Sequence, residues 1–81
     1  LVVNVKLFAL VRQQAGRSHV TVELPDGAKV SDLRQVLGSE LPALASLVPH
    51  LMIAVNAQYA GDDQTLTEDA EVAAIPPVSG G

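Results

Sequence analysis

The chain has no cysteine and no tryptophan, and its only aromatic residues are Phe8 and Tyr59. Without cysteine there is no disulfide, no thiolate metal site and no cysteine nucleophile, which fits a reducing compartment. Positive charge is also scarce: five Lys and Arg stand against nine Asp and Glu, for a net charge of −4. The five are spread along the chain and make no basic stripe, which argues against a nucleic-acid binder. The acidic balance reads first as a solubility feature and second as a match for a basic protein partner. No apolar run approaches the roughly 20 residues of a bilayer span. Leu1 to Lys6 lack the basic n-region of a signal peptide. A cytoplasmic protein is the expectation.

What is present is aliphatic. Hydrophobic residues make up 48% of 81 residues, so Val, Leu, Ile and Ala must build the core. A chain of this length forms one small domain and buries only about 60% of its unfolded surface. Part of its apolar content is therefore available for a partner interface.

Val3, Val5 and Leu7 alternate with Asn4 and Lys6, the period of a strand, and Phe8 falls on the Lys6 side. Ala9 to Ala15 is short for a helix, and Gly16 closes it. His19 to Leu24 is a second strand with Val20, Val22 and Leu24 on one face, followed by the turn Pro25-Asp26-Gly27. Ser31 reads as a helix N-cap with Asp32 in the first turn, and Leu33, Val36, Leu37 and Leu41 share a helical face. Pro42 stops that helix, and Pro42 to Pro49 reads as a short helix or irregular segment. Leu51 to Val55 is a continuous apolar run, as expected of a strand buried on both faces. Tyr59-Ala60 reads as a very short return strand, and Glu71 to Ile75 as the last strand, stopped by Pro76-Pro77. Strand, strand, helix, strand, short strand, strand is the order of an α+β, ubiquitin-like β-grasp domain, with a mixed sheet of about five strands and one main helix on one face. The β-grasp domain is expected over residues 1–77, with residues 78–81 as a flexible tail.

Side-chain chemistry is thin. His19 and His50 have no neighbours in triad or ligand spacing and read as surface residues. Asp62-Asp63 lacks the pattern of a calcium loop and reads as solvated. Glu68, Asp69 and Glu71 read as a solvated edge that discourages strand addition. No Gly-rich phosphate loop follows a strand, and no metal ligand set is expected. The terminus is the exception. Glycine disfavours order, so Gly80-Gly81 is either an unimportant tail or has a task that needs slim backbone. Four extended residues from Val78 reach about 13–14 Å, and Pro76-Pro77 would aim them. The α-carboxylate, with a pKa of about 3.3–3.7, is an anion and a poor electrophile. A partner would have to activate it, most simply as an acyl-adenylate. Attack by sulfur would then give a thiocarboxylate, a sulfur carrier that needs no cysteine.

The segment Glu71-Val72-Ala73-Ala74-Ile75-Pro76-Pro77-Val78-Ser79-Gly80-Gly81 resembles the C-terminus of molybdopterin synthase small subunits. Val5 to Arg12 and Leu51 to Asn56 match as well, so the resemblance covers essentially the whole chain. It implies a sulfur-carrier subunit that is not an enzyme on its own and binds no cofactor. An E1-like enzyme would use ATP to adenylate Gly81, a sulfur donor would convert it to the thiocarboxylate, and Gly80 would provide clearance. The tail, including Pro76, Pro77, Val78 and Ser79, would enter the large catalytic subunit. There the sulfur would pass to cyclic pyranopterin monophosphate to form molybdopterin, in a complex of two small and two large subunits. The resemblance also places partner contacts at Phe8, Tyr59 and Ile75, with Arg12 as a rim contact. Both aromatics would then lie outside the aliphatic core, as interface anchors do. The alternatives are a related β-grasp carrier for thiamine or tRNA thiolation, a protein modifier, or an interaction module whose terminus does no chemistry.

Overall fold

The alternation at the N-terminus becomes strand β1, Val2–Leu7, in a computed structural model that describes residues 1–77. Val3 and Val5 are fully buried and Leu7 nearly so, whereas Asn4 and Lys6 are exposed. The short segment that follows is a true helix, α1, Ala9–Ala15, closed by Gly16 at φ 73°, whose N–H donates to the Arg12 carbonyl at 3.0 Å. Glycine takes this left-handed conformation without a Cβ penalty. A helix of about two turns is stable here because Val11 is fully buried. Strand β2, His19–Glu23, then pairs antiparallel with β1, Val3 opposite Val22 and Val5 opposite Val20.

Helix α2, Val30–Glu40, buries Val30, Leu33 and Leu37, with Val36 and Leu41 flanking them. Its N-cap is Lys29, not Ser31. The loop after β4 supplies what a serine cap would have: the Val30 and Ser31 amides donate to the Gln64 and Asp62 carbonyls at 3.0 and 3.1 Å. Asp32 reaches back to accept from the Lys29 amide at 2.8 Å. Two 3₁₀ turns, Pro42–Leu44 and Val48–His50, follow and bury Leu44 and Val48.

Strands β3, Met52–Val55, β4, Gln58–Tyr59, and β5, Glu71–Ile75, complete a five-stranded sheet in the order β2-β1-β5-β3-β4. Strand β5 lies parallel to β1, Val5 opposite Val72 and Leu7 opposite Ala74, and antiparallel to β3. This is the expected ubiquitin-like β-grasp. The core collects the inward residues of the sheet with Val11, Leu33, Leu37, Leu44 and Val48, and no polar side chain is buried among the described residues.

Two expectations need adjusting. Leu51, Ile53, Ala54 and Val55 are buried, Ile53 and Val55 in the core and Ala54 on the opposite face, but Met52 beside Ala54 is only half-buried. The acidic cluster does not guard a sheet edge either, because β5 is the middle strand. Instead it builds the entry to β5: Glu68 Oε2 accepts from the Val2 amide at 3.1 Å, and Asp69 turns the chain at φ 62°.

Candidate functional site

The face of the sheet opposite α2 carries the exposed aromatics. Register aligns Lys6, Ala73, Ala54 and Tyr59 across β1, β5, β3 and β4, and aligns Ile75 with Met52 in the next row. Phe8 continues the β1 alternation in extended conformation, held beside β5 by its amide donating to the Ala74 carbonyl at 3.2 Å. Ala73 and Ala54 are small and leave a shallow floor. Phe8, Ile75, Met52 and Tyr59 stand around it on the same face. Phe8 is 46% exposed and Tyr59 70%. Exposed aromatics on an otherwise aliphatic protein are unfavourable in water and fit a surface that a partner covers.

Local backbone geometry presents both rings. Ala9 sits at φ 51°, so the chain turns sharply out of β1 directly after Phe8. Asn56 and Ala57, at φ 49° and 69°, make the two-residue turn that returns β4 along β3 and sets Tyr59 opposite Ala54. Alanine in the left-handed region costs roughly 1–2 kcal/mol. Two such residues stand next to the two anchors, and strain of this kind gathers at functional surfaces.

Beside Phe8 lies a shallow groove of about 260 Å³, lined by Lys6, Leu7, Phe8, Arg12, Ser18 and His19. The spacing of the basic residues along the sequence hides this grouping. The β1–β2 pairing sets Lys6 opposite His19, and α1 folds Arg12 back over the end of β1. Ser18 Oγ and His19 Nδ1 lie 3.2 Å apart. Among the described residues no three His, Asp or Glu groups stand close enough to share a metal ion, and no helix is long and apolar enough to cross a membrane. His50 is exposed at the end of a 3₁₀ turn, away from this groove.

Of the residues singled out from the sequence, Phe8, Tyr59 and Ile75 share the open face, and Ile75 and Pro76 are half-buried where β5 ends. Pro77 is exposed. Val78, Ser79, Gly80 and Gly81 lie outside the described residues. Sequence reasoning missed Leu10, which is 44% exposed on α1, and Met52 on the open face. Both had a signal. Leu10 and Val11 are adjacent and cannot share one face of a helix, and Met52 alternates with the buried Ile53.

Known proteins agree with this architecture. The ThiS family matches residues 5–81. A molybdopterin synthase sulfur carrier subunit from Chlamydomonas reinhardtii is 40% identical over 98% of this chain and 98% of its own. One of the same name from Caenorhabditis briggsae is 37% identical over 98% and 96%. Among solved structures, the small archaeal modifier protein SAMP1 from Haloferax volcanii superposes with a TM-score of 0.90 at 31% identity, covering 100% of both chains.

Proposed function

The chain belongs to the ThiS family, and from that premise we propose that it is the sulfur-carrier subunit of a molybdopterin synthase, working through its C-terminal glycine. The observation that carries the reading is where β5 leads. This strand runs through the middle of the sheet and ends beside the apolar face of Phe8, Ile75, Met52 and Tyr59. The sequence continues from there through Pro76-Pro77 to Gly80-Gly81. A partner seated on that face is thereby next to the strand end from which the sequence runs on to the terminus.

The chemistry belongs to the terminal carboxylate. A Gly81 oxygen attacks the α-phosphorus of ATP on an E1-like enzyme, and pyrophosphate leaves. Hydrosulfide supplied by the sulfur donor then attacks the acyl carbon, AMP leaves, and loss of a proton gives the thiocarboxylate. Its soft anionic sulfur bonds to a carbon of cyclic pyranopterin monophosphate in the large subunit as an oxygen substituent leaves, and water then cleaves the acyl–sulfur bond, leaving sulfur on the pterin and restoring the carboxylate. Gly80 lacks a Cβ and lets the terminus pass through a narrow channel. This chain contributes the surface and the tail, and the partners supply the acid–base groups. A second reading is favoured by the likeness to SAMP1. A lysine amine in place of sulfur would attack the same adenylate and leave the chain conjugated through an isopeptide bond.

The test is an intact mass spectrum after incubation with ATP, an E1-like enzyme and a sulfur donor. The expected result is a gain equal to one sulfur replacing one oxygen, localised to Gly81. A conjugate through Gly81 in place of that gain would favour the modifier. An unchanged terminus, with a partner active on a related carrier, would leave an interaction module.

A further inference from the structure

The sheet has two edges, β2 and β4. Strand β4 is two residues long, whereas β2 pairs with β1 over five residues without a bulge. An edge of that length carries a row of unpaired backbone groups, and proteins commonly blunt it with lysine, proline or a bulge. The sequence of β2, His-Val-Thr-Val-Glu, has neither lysine nor proline. Hydrogen bonds identify which of its groups are open. The Leu7 amide donates to the Ser18 carbonyl and the Leu24 amide to the Leu1 carbonyl, both at 2.8 Å. Ser18 and Leu24 therefore face β1, and by alternation so do Val20 and Val22. The N–H and C=O groups of His19, Thr21 and Glu23 point away from the sheet.

Charge is sorted along the same edge. Arg17 and His19 stand at its start, Glu23 and Asp26 at its end, and all four are exposed. Arg17, His19 and Glu23 make no ion pair with a described residue. We infer that β2 is a self-association edge, to which a second copy of this chain adds antiparallel about Thr21. Thr21 then meets Thr21 of the second copy, and the pair His19 with Glu23 forms twice, once on each side of the axis. Arg17 comes to lie beside the Pro25-Asp26 turn of the other copy, and Val20 meets Val22 on the helix side. The residues with open backbone groups are the ones whose side chains match, so ladder and charge select one register. A shift of two residues in either direction leaves only two of the three open residues paired within the strand. The two-fold axis is normal to the sheet, so two five-stranded sheets join edge to edge with both α2 helices on one side. Strand β5 runs antiparallel to β2 and is separated from the edge by β1, so the two β5 strands finish at opposite ends of the pair. The inference goes beyond the carrier reading and does not depend on it. The junction is small, and a weak dimer, forming between micromolar and millimolar concentration, is the result expected of it.

The experiment is sedimentation equilibrium of the full chain across that concentration range. The weight-average mass should rise from 8.4 kDa toward twice that value. His19→Glu sets glutamate opposite glutamate twice per junction and should weaken dimerisation about tenfold. The charge-swapped variant His19→Glu/Glu23→Lys should recover wild-type association. Thr21→Pro removes the outward N–H at the axis, a change that an edge strand tolerates, and should leave the chain monomeric. Circular dichroism checks the fold of each variant, and the charge swap decides the matter even where Thr21→Pro fails to fold. Concentration-dependent amide shifts in NMR spectra should centre on His19 to Glu23. A wild-type chain that stays monomeric at millimolar concentration would overturn the proposal. So would a dimer that ignores His19→Glu, or one whose shifts centre on Phe8 and Tyr59, which would move the junction to the open face. Failure of Gly81 to gain sulfur would remove the carrier reading and leave this measurement standing.

Discussion

Phe8 ends β1 on the side that the core does not use. Its alternation with Leu7 was readable in the sequence, and its 46% exposure follows from that parity. Replacing Phe8 with Ala removes a ring from an open surface and leaves every core contact in place. We expect Phe8→Ala to weaken binding to the E1-like enzyme or the large subunit by about 1–2 kcal/mol, roughly five- to thirtyfold in Kd. The unfolding free energy should change by less than about 1 kcal/mol. Calorimetric titration beside urea denaturation separates the two. A variant that fails to fold would place Phe8 in the core. Tyr59, at 70% exposed, should behave alike. Leu10 shows the limit of pattern reading: it is as hydrophobic as its core neighbour Val11, and only the orientation of α1 decides which of the two is buried.

At the scale of elements, Arg34 joins three of them. From α2 its Nε donates to Asp62 Oδ1 at 2.7 Å, and its Nη1 donates to the Val48 carbonyl at 2.7 Å. The guanidinium side chain is only 18% exposed, so both bonds are partly shielded from water. Arg34→Met should lose about 1–3 kcal/mol of stability, as expected for charge-assisted bonds whose carbonyl partner is left behind. Asp62→Asn should lose under about 1 kcal/mol, because Asp62 is largely exposed and the Val48 bond survives. Equal losses in urea denaturation would show that the ion pair, and not the carbonyl bond, is what holds the elements. The N-terminus of α2 follows the same logic. Ser31 had the right chemistry for a cap, but Asp62 and Gln64 arrive from a loop some thirty residues later and satisfy the amides first. Local sequence carries no information about such a partner.

For the whole molecule, stability and chemistry are placed in different parts of the chain. The core cluster is drawn from Val3 to Ala74, while the proposed reaction uses Gly81. Deleting Gly80-Gly81 should therefore leave the thermal midpoint within about 1 °C of wild type, since no core side chain is lost. Sulfur loading should vanish completely. A clear fall in the midpoint would mean that the terminus helps to hold the domain together. Unchanged support of molybdopterin synthesis by the truncated chain would sink the carrier reading.

The sequence alone determined the period of each element, hence which side of each strand enters the core. It also determined the aliphatic character of that core and the glycine terminus, because these depend on residues close together in the chain. Tertiary structure alone decided three other matters. It placed β5 in the middle of the sheet rather than at an edge, which turned the Glu68–Glu71 cluster into an entry turn. It left Met52 half-buried on a strand whose other residues are buried, which made Met52 part of a surface. It brought Lys6, Arg12 and His19 around one groove at the end where β5 leaves the sheet. Each depends on a pairing between segments far apart in sequence. Such pairings are set by the joint burial of many side chains, and no local pattern records them.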